Sequence, residues 1–233
     1  MGLPVGKLIC ASNENNVLTE FLETGVYDKK SREWIKTPSP SMDILVASNV
    51  ERLLHAITGD TKKVTQWMLQ LDETGTFTVD DETREILKET FYAGWVSNEE
   101  CLTNIAHVAY ETGYIMDPHT SVAQVVAQEF LEEVGGTGNI VISSTAAWSK
   151  FAVAVRDALI GGRENLSNTI DPEDEFAAIH QVVQLFPEAS VPECITGLQG
   201  KPELHTTVFD ATKQGVEESI NLFLANKKHW VGK

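Results

Sequence analysis

The chain has 233 residues, 42% of them hydrophobic and 22% charged, an ordinary balance for a globular protein able to bury a sizeable core. With 34 Asp and Glu against 18 Lys and Arg the net charge is −16, which argues by repulsion against nucleic acid and anionic membrane as partners. No apolar run approaches the roughly 20 residues that span a bilayer, no basic stretch leads an apolar signal core, and Cys10, Cys101 and Cys194 fit reduced thiols in a cytoplasmic protein better than a disulfide framework.

The opening, Met1-Gly2-Leu3-Pro4, reads as the end of a helix: Gly suits the left-handed position past a helix, Leu folds back on the last turn, and Pro stops continuation. No helix precedes it in the sequence, which raises the question whether something has been lost at the front. A strand is expected over residues 5–11. Asn13 or Asn15 then caps a helix carrying Val17, Leu18, Phe21 and Leu22, which Gly25 stops. Ser48 with Glu51 has the spacing of a capping box for a helix over residues 50–57, ended by Gly59. Val64, Trp67, Met68 and Leu71 recur at helical spacing, and Asp80 or Asp81 opens a further helix through residue 91.

Ser97 with Glu100 makes a second capping box, for a helix closed by Gly113. Asp117-Pro118 places a cap and a first-turn proline before a long helix ending near Val134. Residues 139–143 are rich in β-branched side chains and read as the best strand after the first, with a helix from near Ala147. Asp171-Pro172 repeats the cap-proline device before residues 176–186. A strand over 206–209 and a helix over about 211–224 complete the chain. Short apolar strands separated by helices predict a single α/β domain over residues 1–233 with a mainly parallel sheet. In such sheets ligands sit beyond the strands' carboxyl ends, which singles out ASNENN at 11–16 and SSTAAWSKF at 143–151.

Common catalytic signatures are missing: there is no GxSxG, HExxH or CxxC, and GGTGN at 135–139 precedes its strand, so it reads as a helix stop plus turn. His107 near Cys101 has no further ligands in the sequence, so no metal site is expected. Asn13 and Asn15 either hydrogen-bond a ligand's polar edge or cap the next helix. Ser143, Ser144 and Thr145 either cap or offer a hydroxyl to a heteroaromatic nitrogen. Pro38 and Pro40 stiffen residues 37–44, which suits the lining of a site or a plain connection. His119 reads as a general base or as a first-turn residue facing solvent.

Taken in order, MGLPVGKLICASNENNVLTEFLETGVYD, TPSPSMDILVASNVERLL, TGYIMDPHTSVA and ISSTAAWSKF resemble threonine synthase. This family uses pyridoxal phosphate to convert O-phosphohomoserine and water to threonine and phosphate. The resemblance spans residues 1 to about 151. It implies a three-layer α/β fold of the tryptophan synthase beta-like type (fold type II) and a cytoplasmic biosynthetic lyase. It also implies that this chain is the C-terminal portion, lacking the N-terminal half with the Schiff-base lysine, so no catalytic residue is expected here and the isolated chain is expected to be inactive. Thr145 matches the threonine that hydrogen-bonds the cofactor's pyridine nitrogen. Ser144, Asn13 and Asn15 match neighbours of the ring, while Ser39, Ser41, Asp43, Asp117 and His119 match segments without an assigned step. Where the family commonly reads alanine-histidine-proline-alanine-lysine-phenylalanine, this chain has Ala146, Ala147, Trp148, Ser149, Lys150 and Phe151. The alternative is a non-catalytic homologue, serving as an interaction module or as one half of a split enzyme.

Overall fold

The structure, a computed structural model, describes residues 4–136, 138–161, 174–202 and 206–226. Met1, Gly2, Leu3, Asp171 and Pro172, on which two of the expectations rest, lie outside the described residues. The chain divides into two units, residues 1–196 and 197–233. The first unit begins with β1 (Leu8–Ser12), α1 (Val17–Thr24) and β2 (Val26–Asp28), then a 3₁₀ turn (Pro40–Met42), α2 (Val50–Thr58), α3 (Thr61–Thr74) and β3 (Thr76–Thr78). It continues with α4 (Asp81–Thr90), β4 (Phe91–Trp95), α5 (Asn98–Thr112), α6 (Pro118–Glu133), a second 3₁₀ turn (Trp148–Phe151), α7 (Ala152–Ile160), α8 (Glu175–Leu185) and the single turn α9 (Glu193–Thr196). The second unit carries α10 (Lys213–Asn226).

The architecture follows from the pleat of the β1–β4 pair, which is parallel with Leu8 opposite Phe91 and Ser12 opposite Trp95. Side chains on one strand alternate between faces, and paired residues share a face. Ile9, Ala11 and Tyr92 pack on a core built by Val96, Ile105, Val122, Val126, Val155 and Val182, which belong to α5–α8 and the turn after β4. Cys10, Phe91 and Ala93 pack on a second core from α1–α4, β2 and β3. The sheet is therefore sandwiched between helices, an α/β arrangement of three layers. In the second core Phe21, Tyr27 and Phe77 meet with ring centroids 5.3–5.5 Å apart, and β2 and β3 form an antiparallel pair beneath them. Beside Ala11 stands Gly94, where a Cβ would lie 2.7 Å from Val126 Cγ1; only a residue without a side chain lets α6 lie this close to β4.

Local chemistry accounts for most boundaries. Gly25, Gly59, Gly75 and Gly113 all end their helices in the left-handed conformation. Ser97 and Glu100 complete the reciprocal capping box before α5, Asp80 caps α4 through the Thr83 amide, and Asp117 caps α6 with Pro118 in its first turn. After α6, Gly136 N donates to Leu131 O, the helix stop expected of the glycine run.

Other expectations are corrected. The first strand starts at Leu8, and α2 is entered through Asn49 without a side-chain cap, so the Ser48–Glu51 box does not form. The cap on α3 is Asp60, which accepts from the amides of Lys62 and Lys63. The helix expected through residue 91 ends at Thr90, and Phe91–Trp95 is β4. Leu87 and Phe91 are spaced as if on one helix face, which hid the change to a strand. Residues 139–143 and 206–209 form no strand. β-Propensity is realised only against a partner. None pairs with residues 139–143 among those described, and Val141 is left 92% exposed. The helix expected near Ala147 starts as a 3₁₀ turn and becomes α-helical at Ala152, and the last helix starts at Lys213.

Candidate functional site

Residues following β1 reach a loop more than twenty positions away. Asn13 and Asn15 cap nothing: α1 is preceded by Asn16, which makes no side-chain cap bond. Instead Asn13 Oδ1 accepts from the Asn15 amide at 2.9 Å, forming a local turn. This turns both carboxamides toward the segment that the two prolines stiffen. Asn13 Nδ2 donates to Thr37 Oγ1 and to Asp43 Oδ1, each at 2.8 Å, with Ser39 Oγ at 3.0 Å. Asn15 is bidentate on the backbone of Ile35, donating to its carbonyl at 2.8 Å and accepting from its amide at 2.9 Å.

Asp43 is the hub. Its Oδ1 accepts from Asn13, Asn15 and the Thr37 hydroxyl, and its Oδ2 accepts from the Thr37 amide at 3.0 Å. The far end of the loop is fastened by Tyr27, whose hydroxyl accepts from the Ala47 amide at 2.8 Å and lies 3.2 Å from the Leu45 carbonyl. Burial raises the Tyr27 pKa, so it serves this loop as a neutral phenol.

A second set of groups gathers at the N-terminus of α6. Asp117, whose side chain is fully buried, accepts from the His119 amide at 3.0 Å and contacts His119 Nδ1 at 2.9 Å. Its other oxygen lies 2.5 Å from Thr120 Oγ1, which is 3.0 Å from Ser144 Oγ. Burial pushes the Asp117 carboxyl upward, but the hydrogen bonds from His119 and Thr120 outweigh it and leave the group below the ordinary carboxylate range. The solvent-facing reading of His119 is wrong: only 10% of its side chain is exposed, its ring lies 4.6 Å from that of Phe151, and Nε2 accepts from the Ser41 amide at 3.1 Å.

The expected residues therefore meet in two connected groups, Asn13–Asn15–Ser39–Asp43 and Ser41–His119–Asp117–Ser144. Thr145 joins neither. It is exposed, and among the described residues nothing hydrogen-bonds its hydroxyl. Two members were passed over: Thr37, the first residue of TPSPSMDI, and Thr120, the last of DPHT. A hydroxyl three positions past an Asp cap is a signal for Thr120; for Thr37 the sequence offered none. Cys101 is no nucleophile, since burial pushes its thiol up to about 11. Among the described residues no three His, Cys, Asp or Glu side chains converge as metal ligands, and no helix is long and apolar enough to cross a membrane.

No family model matches the chain. Human threonine synthase-like 1 is 44% identical over 160 residues, 68% of this chain and 21% of that protein. The crystal structure of yeast threonine synthase superposes with a TM-score of 0.74 at 32% identity, over 97% of this chain and 43% of that one. The pyridoxal-phosphate-bound threonine synthase of Brucella melitensis gives 0.59 at 35% identity, over 68% and 33%. The helix–sheet–helix layers are thus those of a pyridoxal-phosphate enzyme fold of type II. Within that class the chain belongs with the threonine synthases. It spans about a fifth of the length of the curated threonine synthase-like 1 relatives.

Proposed function

We propose that this chain is the C-terminal part of a threonine synthase, supplying one side of the pocket in which O-phosphohomoserine and water become threonine and phosphate. The observation that carries the reading is the free, exposed hydroxyl of Thr145 beside Ser144, which the α6 network anchors. Bound pyridoxal phosphate supplies an electron sink for negative charge developing on substrate carbons. Toward that group Thr145 is the donor to the pyridine nitrogen. A hydroxyl there, unlike a carboxylate, leaves the nitrogen unprotonated. Asn13 and Asn15 have spent their amide hydrogens within the protein, so they form a rigid wall at the β1 exit rather than a flexible grip. The lysine that anchors the cofactor and most substrate-binding groups belong to the N-terminal half, and the 233 residues alone do not turn over. A cytoplasmic setting goes with the unpaired cysteines.

The test is reconstitution. Mixed with pyridoxal phosphate and O-phosphohomoserine, the chain alone releases no phosphate; paired with an N-terminal half of yeast threonine synthase, it does, and Thr145→Ala lowers that rate. Turnover by the chain alone, or reconstituted activity indifferent to Thr145→Ala, would overturn the reading. A second reading, an interaction module or one half of a split enzyme, is favoured by α10. Its Val216, Ile220, Phe223 and Leu224 recur at helical spacing and are all exposed. A stable complex with the N-terminal half that lacks activity would select the interaction module.

A further inference from the structure

Two contacts of His119 fix its chemistry. Ser41 N–H is a donor without alternative, so Nε2 must carry a lone pair; Asp117, held ionised, is an acceptor without alternative, so Nδ1 must carry the proton. Only the neutral Nδ1–H tautomer satisfies both. The same bookkeeping orients the Thr120 hydroxyl, which has one proton and two neighbours. It is the donor to both, sharing that proton between the Asp117 carboxylate and Ser144 Oγ.

We propose that His119 is a positioning residue, held by Asp117 as a neutral acceptor that clasps the Ser41 amide, and that Asp117, acting through Thr120 as well, sets the 35–44 loop and the Ser144–Thr145 segment from one carboxylate. It deepens the functional reading by naming what aligns the two walls of that pocket, and it rests on that reading only for what the walls enclose. The clasp is sensitive to protonation. An imidazolium keeps its bond to Asp117 but turns Nε2 into a donor facing another donor, and the Ser41 contact is lost. The charged groups on the elements packed around the ring are Asp117 itself, Asp43 closing the 3₁₀ turn that carries Ser41, and Lys150 beside Phe151, whose Nζ lies 5.4 Å from the Phe151 ring centroid.

The experiment needs no cofactor and so fails independently of the functional reading. Long-range ¹H–¹⁵N spectra of the 233-residue chain at neutral pH show His119 protonated at Nδ1 and bare at Nε2. His119→Gln, whose carbonyl can stand where Nε2 does, keeps the Ser41 amide protected. His119→Phe keeps the ring against Phe151 but has no acceptor, and Ser41 exchange rises on the order of tenfold. The Nε2–H tautomer in the unmutated chain, or Ser41 exchange unchanged in a folded His119→Phe chain, would overturn the proposal.

Discussion

In the proposed pocket, the exit of β1 and the Ser143–Ala147 segment face the same task and solve it differently. At the β1 exit Asn13 and Asn15 are buried and every amide hydrogen is engaged by Ile35, Thr37, Ser39 or Asp43. The Ser143–Ala147 segment is irregular and largely exposed, its side chains tied to the rest by the bond between Ser144 and Thr120. A buried polar network is costly when incomplete, so it either forms whole or not at all. A single tether leaves an exposed segment to take its final shape from what packs on it. One wall is thus built in advance, while the other keeps a free hydroxyl.

The contrast can be broken most severely at the hub. Asp43→Ala strips acceptors from Asn13, Asn15 and Thr37 and leaves buried donors unpaired, a loss of about 3 kcal/mol measured by urea denaturation; a loss below about 1 kcal/mol would mean that water replaces the carboxylate freely. Tyr27→Phe removes the acceptor for the Ala47 amide and costs about 1–2 kcal/mol in the same measurement, with the aromatic core retained.

Asp117 sharpens the comparison through pH. Its folded pKa is depressed, so its contribution is present above the unfolded carboxylate value and disappears as pH falls through the folded one. Stability of the parent should therefore drop on acidification below about pH 4, and Asp117→Asn should show a shallower drop; parallel curves would remove Asp117 from the acid limb. The smallest effect is expected at the free wall. Thr145→Val should change stability by no more than about 0.5 kcal/mol, since an exposed hydroxyl without a protein partner leaves nothing behind.

This division also decides what was readable in the sequence. Caps and stops depend on a few neighbouring residues, so Asp80, Ser97–Glu100, Asp117-Pro118 and the helix-ending glycines were legible. Asn13 and Asn15 misled for the same reason: their local propensity is to cap, but partners twenty-odd residues away claim their side chains. β4 was hidden by the helix-like spacing of Leu87 and Phe91, and it is visible only through its pairing with β1. The run at 139–143 has strand composition without a strand beside it, which composition cannot register. The site residues came from ordered resemblance, and the hydrogen bonds joining them came from the fold.

Gly94 gives the clasp a hidden dependence. Because a hydrogen atom stands where any other residue would put a methyl group, α6 rests on β4 at Val126 like a beam on its fulcrum. Thickening that fulcrum would tilt the beam and swing its first turn, with Asp117 and His119, away from Ser41. The tuning of the pocket walls would then change through a position that touches neither of them, and a survey of variants confined to the polar residues would miss it.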